Sequence, residues 1–180
     1  MATNLKSAAI TSLDATPVGF VMAGAGVGGM LRSVEGSVAA LTGDVVGSTY
    51  KLVRLPINAM VKKVELYAAC ATAGAADFNA VFSDSTQDGT DAANQGTIPQ
   101  IGGINNKLFG AAQSLIGGLA APVELTYANA ANFPVGSEQK PLWAILGFSG
   151  DPGGFFDIQA TVTTAITTGG IVFVRVFFVV

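Results

Sequence analysis

The residues with the most chemical promise lie in two short stretches. Gly24-Ala25-Gly26-Val27-Gly28-Gly29 fits the spacing G-x-G-x-x-G, follows the apolar Phe20-Val21-Met22-Ala23, and has Asp44 twenty residues after Gly24. In a dinucleotide site such glycines let a pyrophosphate approach the backbone at a helix start, and the acid binds a ribose hydroxyl. The context here is different. After Gly29 come Gly36, Gly43 and Gly47 among β-branched residues, which do not build the required helix and second parallel strand. A glycine-rich arm is the better reading. The second stretch, Asp84-Ser85-Thr86-Gln87-Asp88-Gly89-Thr90-Asp91, sets Asp84, Thr86 and Asp88 at alternate positions before a glycine, like the first half of a calcium loop. Its twelfth position is Gln95, which has no carboxylate to grip an ion through two oxygens, so the stretch reads as a solvated acidic turn.

Catalytic groups are scarce. The chain has no His, which removes Ser-His and Cys-His pairs and histidine-ligated metals. Cys70, the single cysteine, ends an Ala-rich segment with Lys62 and Lys63 well back in sequence, and reads as a small buried core residue rather than an activated thiolate. Asp44, Glu65, Asp77, Glu124 and Asp157 sit in unrelated local contexts. The expectation is a protein that is not an enzyme and holds no cofactor and no metal. Arg175 and Asp157 are lone charges in strongly apolar strands. Two arrangements satisfy them: a cross-strand ion pair, or an outward position at a sheet edge.

The elements that must position these residues are strands. Ile171 to Val180 is β-branched or aromatic almost throughout, with Arg175 as its only polar side chain. Alternation sends Ile171, Phe173, Phe177 and Val179 to one face and Val172, Val174, Val176, Phe178 and Val180 to the other, so both faces need cover from a core or a second subunit. Leu31–Val38, Tyr50–Leu55, Val61–Tyr67, Ala76–Phe82, Val123–Tyr127 and Phe155–Ile166 also read as strands. Pro56-Ile57-Asn58-Ala59 interrupts pairing between the second and third, because Pro lacks an N–H and Asn favours turns. Asn106–Leu119 has Leu108, Phe109, Leu115 and Ile116 at partly helical spacing against Gly110, Gly117 and Gly118, and reads either as helix or as an irregular excursion. Pro141–Gly147 predicts a helix of one to two turns near 141–146, with Pro in its first turn and Gly past its end. Ser83–Gly96 and Asn129–Gln139 read as loops, and Asp151–Gly154 and Thr167–Gly170 as turns.

These short strands between turn signals predict an all-β fold, an antiparallel β-sandwich of which the jelly roll is the common eight-stranded form. At 180 residues the chain has room for one domain, spanning 30–180, after an extended N-terminal arm, 1–29. Along the arm Leu5, Ile10, Leu13, Phe20 and Met22 are apolar without a sustained period. They need cover from another protein's surface or from their own domain, and with Arg175 they are the candidate interface residues.

Composition narrows the partners. Charged residues make up 12% of the chain, against roughly 25% in ordinary globular proteins, and a surface so poor in charge is often hidden in an assembly. Nine Lys and Arg, a net charge of -3 and a pI of about 4.7 argue against nucleic acid. A membrane helix needs ~20 apolar residues, more than the C-terminal run supplies; Met1–Leu13 lacks the apolar core of a signal peptide; and the chain lacks the repeated segments of a membrane barrel.

A resemblance adds to this reading. Lys51-Leu52-Val53-Arg54-Leu55-Pro56-Ile57-Asn58-Ala59-Met60-Val61, then Leu142-Trp143-Ala144-Ile145-Leu146-Gly147 through Asp151-Pro152 to Phe155-Phe156-Asp157-Ile158, follow a recurring pattern. It runs from a strand ending in Arg-x-Pro, through a Leu-Trp-x-x-Leu-Gly helix and an Asp-Pro turn, to a Phe-Asp-Ile strand and a last apolar strand. In this the chain resembles the capsid decoration, or cement, proteins of tailed bacteriophages, over Gly29 to Val180. The resemblance implies a jelly roll on the outer surface of a phage head. There it bridges neighbouring copies of the major capsid protein of the same phage, as a homo-oligomer (a trimer ahead of a dimer), to stabilise the shell. The chain departs from the pattern in its Ala/Gly-rich middle, Gln100–Ala121, and its long arm. The rival reading is a tail-fibre or receptor-binding module; a carbohydrate-binding sandwich is poorly served by Trp143, a single Trp placed on the short helix.

Overall fold

The computed structural model describes residues 30–70, 72–83, 106–117 and 121–180, with the side chains of 82 and 83 excepted. The arm with Leu5, Ile10, Leu13, Phe20 and Met22, the glycine motif at 24–29 and the loop at 84–91 lie outside the described residues.

Eight strands are described: β1 (Arg32–Ala40), β2 (Thr49–Pro56), β3 (Met60–Ala68), β4 (Ala75–Ser83), β5 (Gly110–Ser114), β6 (Val123–Glu124), β7 (Phe155–Thr164) and β8 (Gly170–Val179). They form two four-stranded sheets, β1-β8-β3-β6 and β2-β7-β4-β5. Strand 1 pairs with 8, 2 with 7, 3 with 6 and 4 with 5, all antiparallel. This nested pairing is the jelly roll, a folded-over ribbon whose successive strands alternate between sheets except at its fold, where β4 and β5 pair within one sheet. The expected sandwich is therefore observed. The Pro56–Ala59 turn carries the chain from one sheet to the other, because β2 and β3 have different partners.

β8 lies between β1 and β3, so its two faces are those read from alternation. Val172, Val174, Val176 and Phe178 are buried between the sheets, and Phe173, Arg175 and Phe177 are half-buried on the outer face. From β7, Phe156, Ile158, Ala160 and Val162 meet them from the second sheet, and Leu55, Val61, Val64 and Phe78 complete the centre. Two bulges adjust the alternation. The register between β2 and β7 steps from Lys51↔Gln159 to Val53↔Ile158, which leaves Leu52 as the extra residue and lets Leu52 and Val53 both be buried. Between β3 and β8 it steps from Val61 to Lys63, turning Lys62 and Lys63 both away from the core. At Gly36 the β1 backbone passes so close to β2 that an added Cβ would stand 1.8 Å from the Leu52 carbonyl oxygen.

Asn106–Leu119 is neither helix nor structureless where it is described. Lys107 and Ala112 have φ of 51° and 47°, and Gly110 has φ of 147°; these left-handed and extended conformations exclude a helix and shape β5. Leu108, Phe109 and Leu115 still reach the core. The side chain of Asn106 takes over part of a ladder: its Oδ1 accepts from the Ala80 N–H at 3.1 Å and its Nδ2 donates to the Ala80 carbonyl at 2.6 Å. The Val123–Tyr127 strand is shorter than its composition predicts. After Glu124, Thr126 Oγ1 accepts from the Val64 N–H at 3.0 Å, so a side chain replaces the next main-chain pair. The short helix is α1 (Leu142–Ile145), with Pro141 at its N-cap and Gly147 just beyond at φ 87°.

Candidate functional site

The outer face of the β1-β8-β3-β6 sheet holds Arg175, the one candidate interface residue within the described chain. Register places Glu35 of β1 opposite Arg175, Arg175 opposite Glu65 of β3, and Glu65 opposite Glu124 of β6. A row of four charged residues thus crosses all four strands. Arg175 Nε donates to Glu35 Oε1 at 2.6 Å, its Nη1 lies 3.8 Å from Glu65 Oε2, and Lys63 Nζ is 2.8 Å from Glu65 Oε1. Its guanidinium also lies 5.8 Å and 6.0 Å from the ring centroids of Tyr67 and Phe173, which meet edge to face. The hydrogen bond that Arg175 donates to Glu35 raises the Arg175 pKa above its ordinary value. The face is a mixed aromatic and ionic surface in the middle of a sheet.

Asp157 lies on the outer face of the other sheet, so an Arg175–Asp157 pair does not form. Neither residue is at an edge, because β7 and β8 are both inner strands. Asp157 instead accepts from Arg54 Nε at 2.7 Å and Nη2 at 3.0 Å, with Lys51 Nζ at 3.8 Å. Its side chain is 4% exposed while that of Arg54 is 51% exposed, so the arginine covers the carboxylate. Asp157 as hydrogen-bond partner raises the Arg54 pKa. A shallow depression of about 340 Å³ beside it is lined by Lys51, Leu52, Val53, Arg54 and Asp157.

The remaining carboxylates considered for catalysis are dispersed. Asp77, buried on β4, accepts from the Ala112 N–H at 2.7 Å and has Lys107 Nζ at 3.4 Å. Asp44 lies in the β1–β2 loop, where its Oδ2 accepts from the Leu41 N–H and the Tyr50 hydroxyl. The Tyr50 bond first, and the Leu41 bond second, hold the Asp44 carboxyl below its usual pKa. Burial first, and the Asp44 bond second, push the Tyr50 hydroxyl up. Cys70 is fully buried, and burial pushes its thiol up. Among the described residues no three His, Cys, Asp or Glu side chains gather as a metal site would require. No helix there is long and apolar enough to cross a membrane.

Sequence reasoning missed two features. Glu35 and Glu65 became neighbours of Arg175, and Glu124 of Glu65, only through strand register, although each already showed as a polar residue in a strand. The other is the β1–β2 loop, where Leu41, Val45 and Val46 are 65%, 65% and 62% exposed. Two adjacent valines between Gly43 and Gly47 were the available signal.

The three segments carrying the resemblance meet in space. Arg54 of the Arg-x-Pro strand binds Asp157 of the Phe-Asp-Ile strand, as described. Leu142 N–H donates to the Ala59 carbonyl at 2.9 Å and Trp143 N–H to the Ile57 carbonyl at 3.3 Å, which seats α1 on the turn after Pro56. Ile57 N–H donates to the Gly154 carbonyl at 3.2 Å, joining that turn to the chain after Asp151-Pro152.

No family model matches the chain, and no curated protein matches it significantly. Among solved structures it is similar to a chain of the cyanophage Pam1 capsid asymmetric unit, with 18% identity and a TM-score of 0.40 over 86% of this chain and 87% of that one. A likeness at that level is general and carries nothing of that chain's assembly over to this one.

Proposed function

We propose that the chain is a structural protein of a bacteriophage virion, a decoration protein that binds the outer surface of the head. Its partners in this reading are the major capsid protein of the same phage and further copies of itself, a trimer ahead of a dimer. It works by contact and not by catalysis, with no cofactor, no nucleic acid and no membrane. The observation that carries the reading is the junction of its three motif segments. Arg54 with Asp157, α1 with the Ile57–Ala59 turn, and Ile57 with Gly154 form one joint at one end of the sandwich. The segments that carry the resemblance to decoration proteins thus meet in one joint of this fold, which supports the reading. A surface poor in charge supports the same reading.

Quantitative mass spectrometry of purified virions, before and after tail removal, tests it. Hundreds of copies per particle, retained on tail-free heads, are expected. A handful of copies lost with the tail would overturn the decoration role in favour of a fibre or receptor-binding module.

A further inference from the structure

Among the described residues, one end of the sandwich is almost free of charge. The loops and strand termini there are residues 39–49, 68–70, 72–76, 113–117, 121–123 and 161–172, and among these only Asp44 is charged. Register brings these stretches together: Ala40 opposes Gly170, Ala68 opposes Val172, Leu66 opposes Val123, Thr49 opposes Thr161, and Ala75 opposes both Thr164 and Ser114. The carboxylate of Asp44 accepts from the Leu41 N–H and the Tyr50 hydroxyl. Around it stand exposed aliphatics: Leu41, Val45 and Val46 in the β1–β2 loop, Ile171 at the start of β8, and Ile116 and Val123 beside β3.

The end is also held in shape. Gly43 N–H donates to the Ile166 carbonyl, Ile166 N–H to the Asp44 carbonyl and Gly47 N–H to the Val162 carbonyl, each at 2.9 Å. Cys70 N–H donates to the Leu115 carbonyl at 3.0 Å, and Thr72 Oγ1 lies 2.8 Å from Thr167 Oγ1. An apolar surface already ordered before contact loses little conformational entropy on binding.

We propose that this end is the contact through which copies of the chain associate with one another. The choice of partner follows from charge. Apart from Asp44, whose carboxylate already accepts from the Leu41 N–H and the Tyr50 hydroxyl, this surface offers no counter-ion, so a charge pressed against its aliphatics would be desolvated and unpaired, which costs more than apolar contact returns. The partner must be neutral as well. Both sheet faces carry ion pairs, around Arg175 and around Asp157, and the β6–β7 connection carries Glu138, Lys140 and Asp151. The same end of a second copy, with Asp44 as its single charge, meets the requirement, and symmetric use of one patch closes the assembly.

The inference rests on the homo-oligomeric part of the proposed function, and the test separates the two. The full chain, Val45→Glu with Val46→Glu, and the control Val135→Glu are compared by sedimentation velocity over a hundredfold range of concentration. Circular dichroism reports folding of each. Val135 is 82% exposed and lies in the β6–β7 connection, away from this end. Association of the wild type and the control, with at least a tenfold weakening in the folded double variant, is expected. Equal association of all three would overturn the inference and leave the homo-oligomer standing. A wild type that stays monomeric throughout would overturn both. If that monomer bound phage heads through Val45 and Val46, the occupant of this end would be the capsid shell and the inference would again fail. Should the double variant unfold, Leu41→Ser, in the same loop and 65% exposed, is read by the same criteria.

Discussion

Gly36 offers the sharpest test of the fold, because two physical arguments assign opposite signs to one methyl group. It lies within β1 opposite Val174, where glycine is a poor strand residue, and local propensity predicts that Gly36→Ala stabilises by about 0.5–1 kcal/mol. The tertiary structure predicts the reverse. The new Cβ would sit 1.8 Å from the carbonyl oxygen of Leu52 and 2.7 Å from its carbon. Leu52 is the bulged residue of β2, and both atoms are main chain, so no rotamer change relieves the contact. Relief needs one strand to shift by about 1 Å or more at the border of the two sheets, where packing is dense. Overpacking of this kind costs about 1–3 kcal/mol, and a backbone obstacle places the cost at about 3 kcal/mol. For a chain of this length that lowers Tm by about 6–12 °C. Urea and thermal denaturation of Gly36→Ala should be read beside Gly150→Ala, because Gly150 has no atom within 4 Å of its added Cβ and is expected to change by less than about 0.5 kcal/mol. Equal or greater stability of Gly36→Ala relative to the wild type would refute the close crossing of β1 over β2.

Arg54→Leu strips the bidentate partner from the buried Asp157 and leaves Lys51 at 3.8 Å, so urea titration should show a loss of about 1.5–3 kcal/mol, towards the low end because Arg54 is half exposed. Replacing Asp157 by Leu as well should recover much of that loss, since no buried charge then remains. Val176→Asp or Phe178→Asp places a charge between the sheets at positions 0% and 7% exposed; with whole-domain stability of about 5–15 kcal/mol, loss of the β circular dichroism signal is expected, not dispersal of a folded oligomer. Asp44 has a depressed folded-state pKa, so its contribution is full above its unfolded value of about 4 and is lost as pH falls through the folded one. The difference in Tm between wild type and Asp44→Asn should therefore shrink on acidification across that window, and a constant difference would contradict the Tyr50 and Leu41 bonds. Deleting Met1 to Gly24 removes nothing from the described core, so a folded domain with weaker attachment to the head is expected, and unfolding of the domain would contradict it.

What could be read from the chain alone followed from local periodicity. β8 was legible because alternation decides which side chains share a face before any partner is known; that the Val174 and Val176 face is the core side was decided by the second sheet. α1 was legible because Pro141 fixes its own φ at the helix start and Gly147 tolerates the positive φ of 87° just past its end. β5 was not legible. Its Ala, Gln and Ser have little strand preference, and it exists because Phe109 and Leu115 are drawn into the core while Asn106 pairs with Ala80 of a strand distant in sequence. The charged side chains divide in the same way. That each needed a partner or an exposed place belonged to the sequence, but which it found did not, since Arg175 with Glu35 and Arg54 with Asp157 are separated by 140 and 103 residues. Side-chain direction depends on a residue's own backbone, whereas register depends on which strands the jelly roll lays together. Only the folded chain decided that Arg175 and Asp157 belong to opposite sheets and that stretches with Asp44 as their single charge share one end.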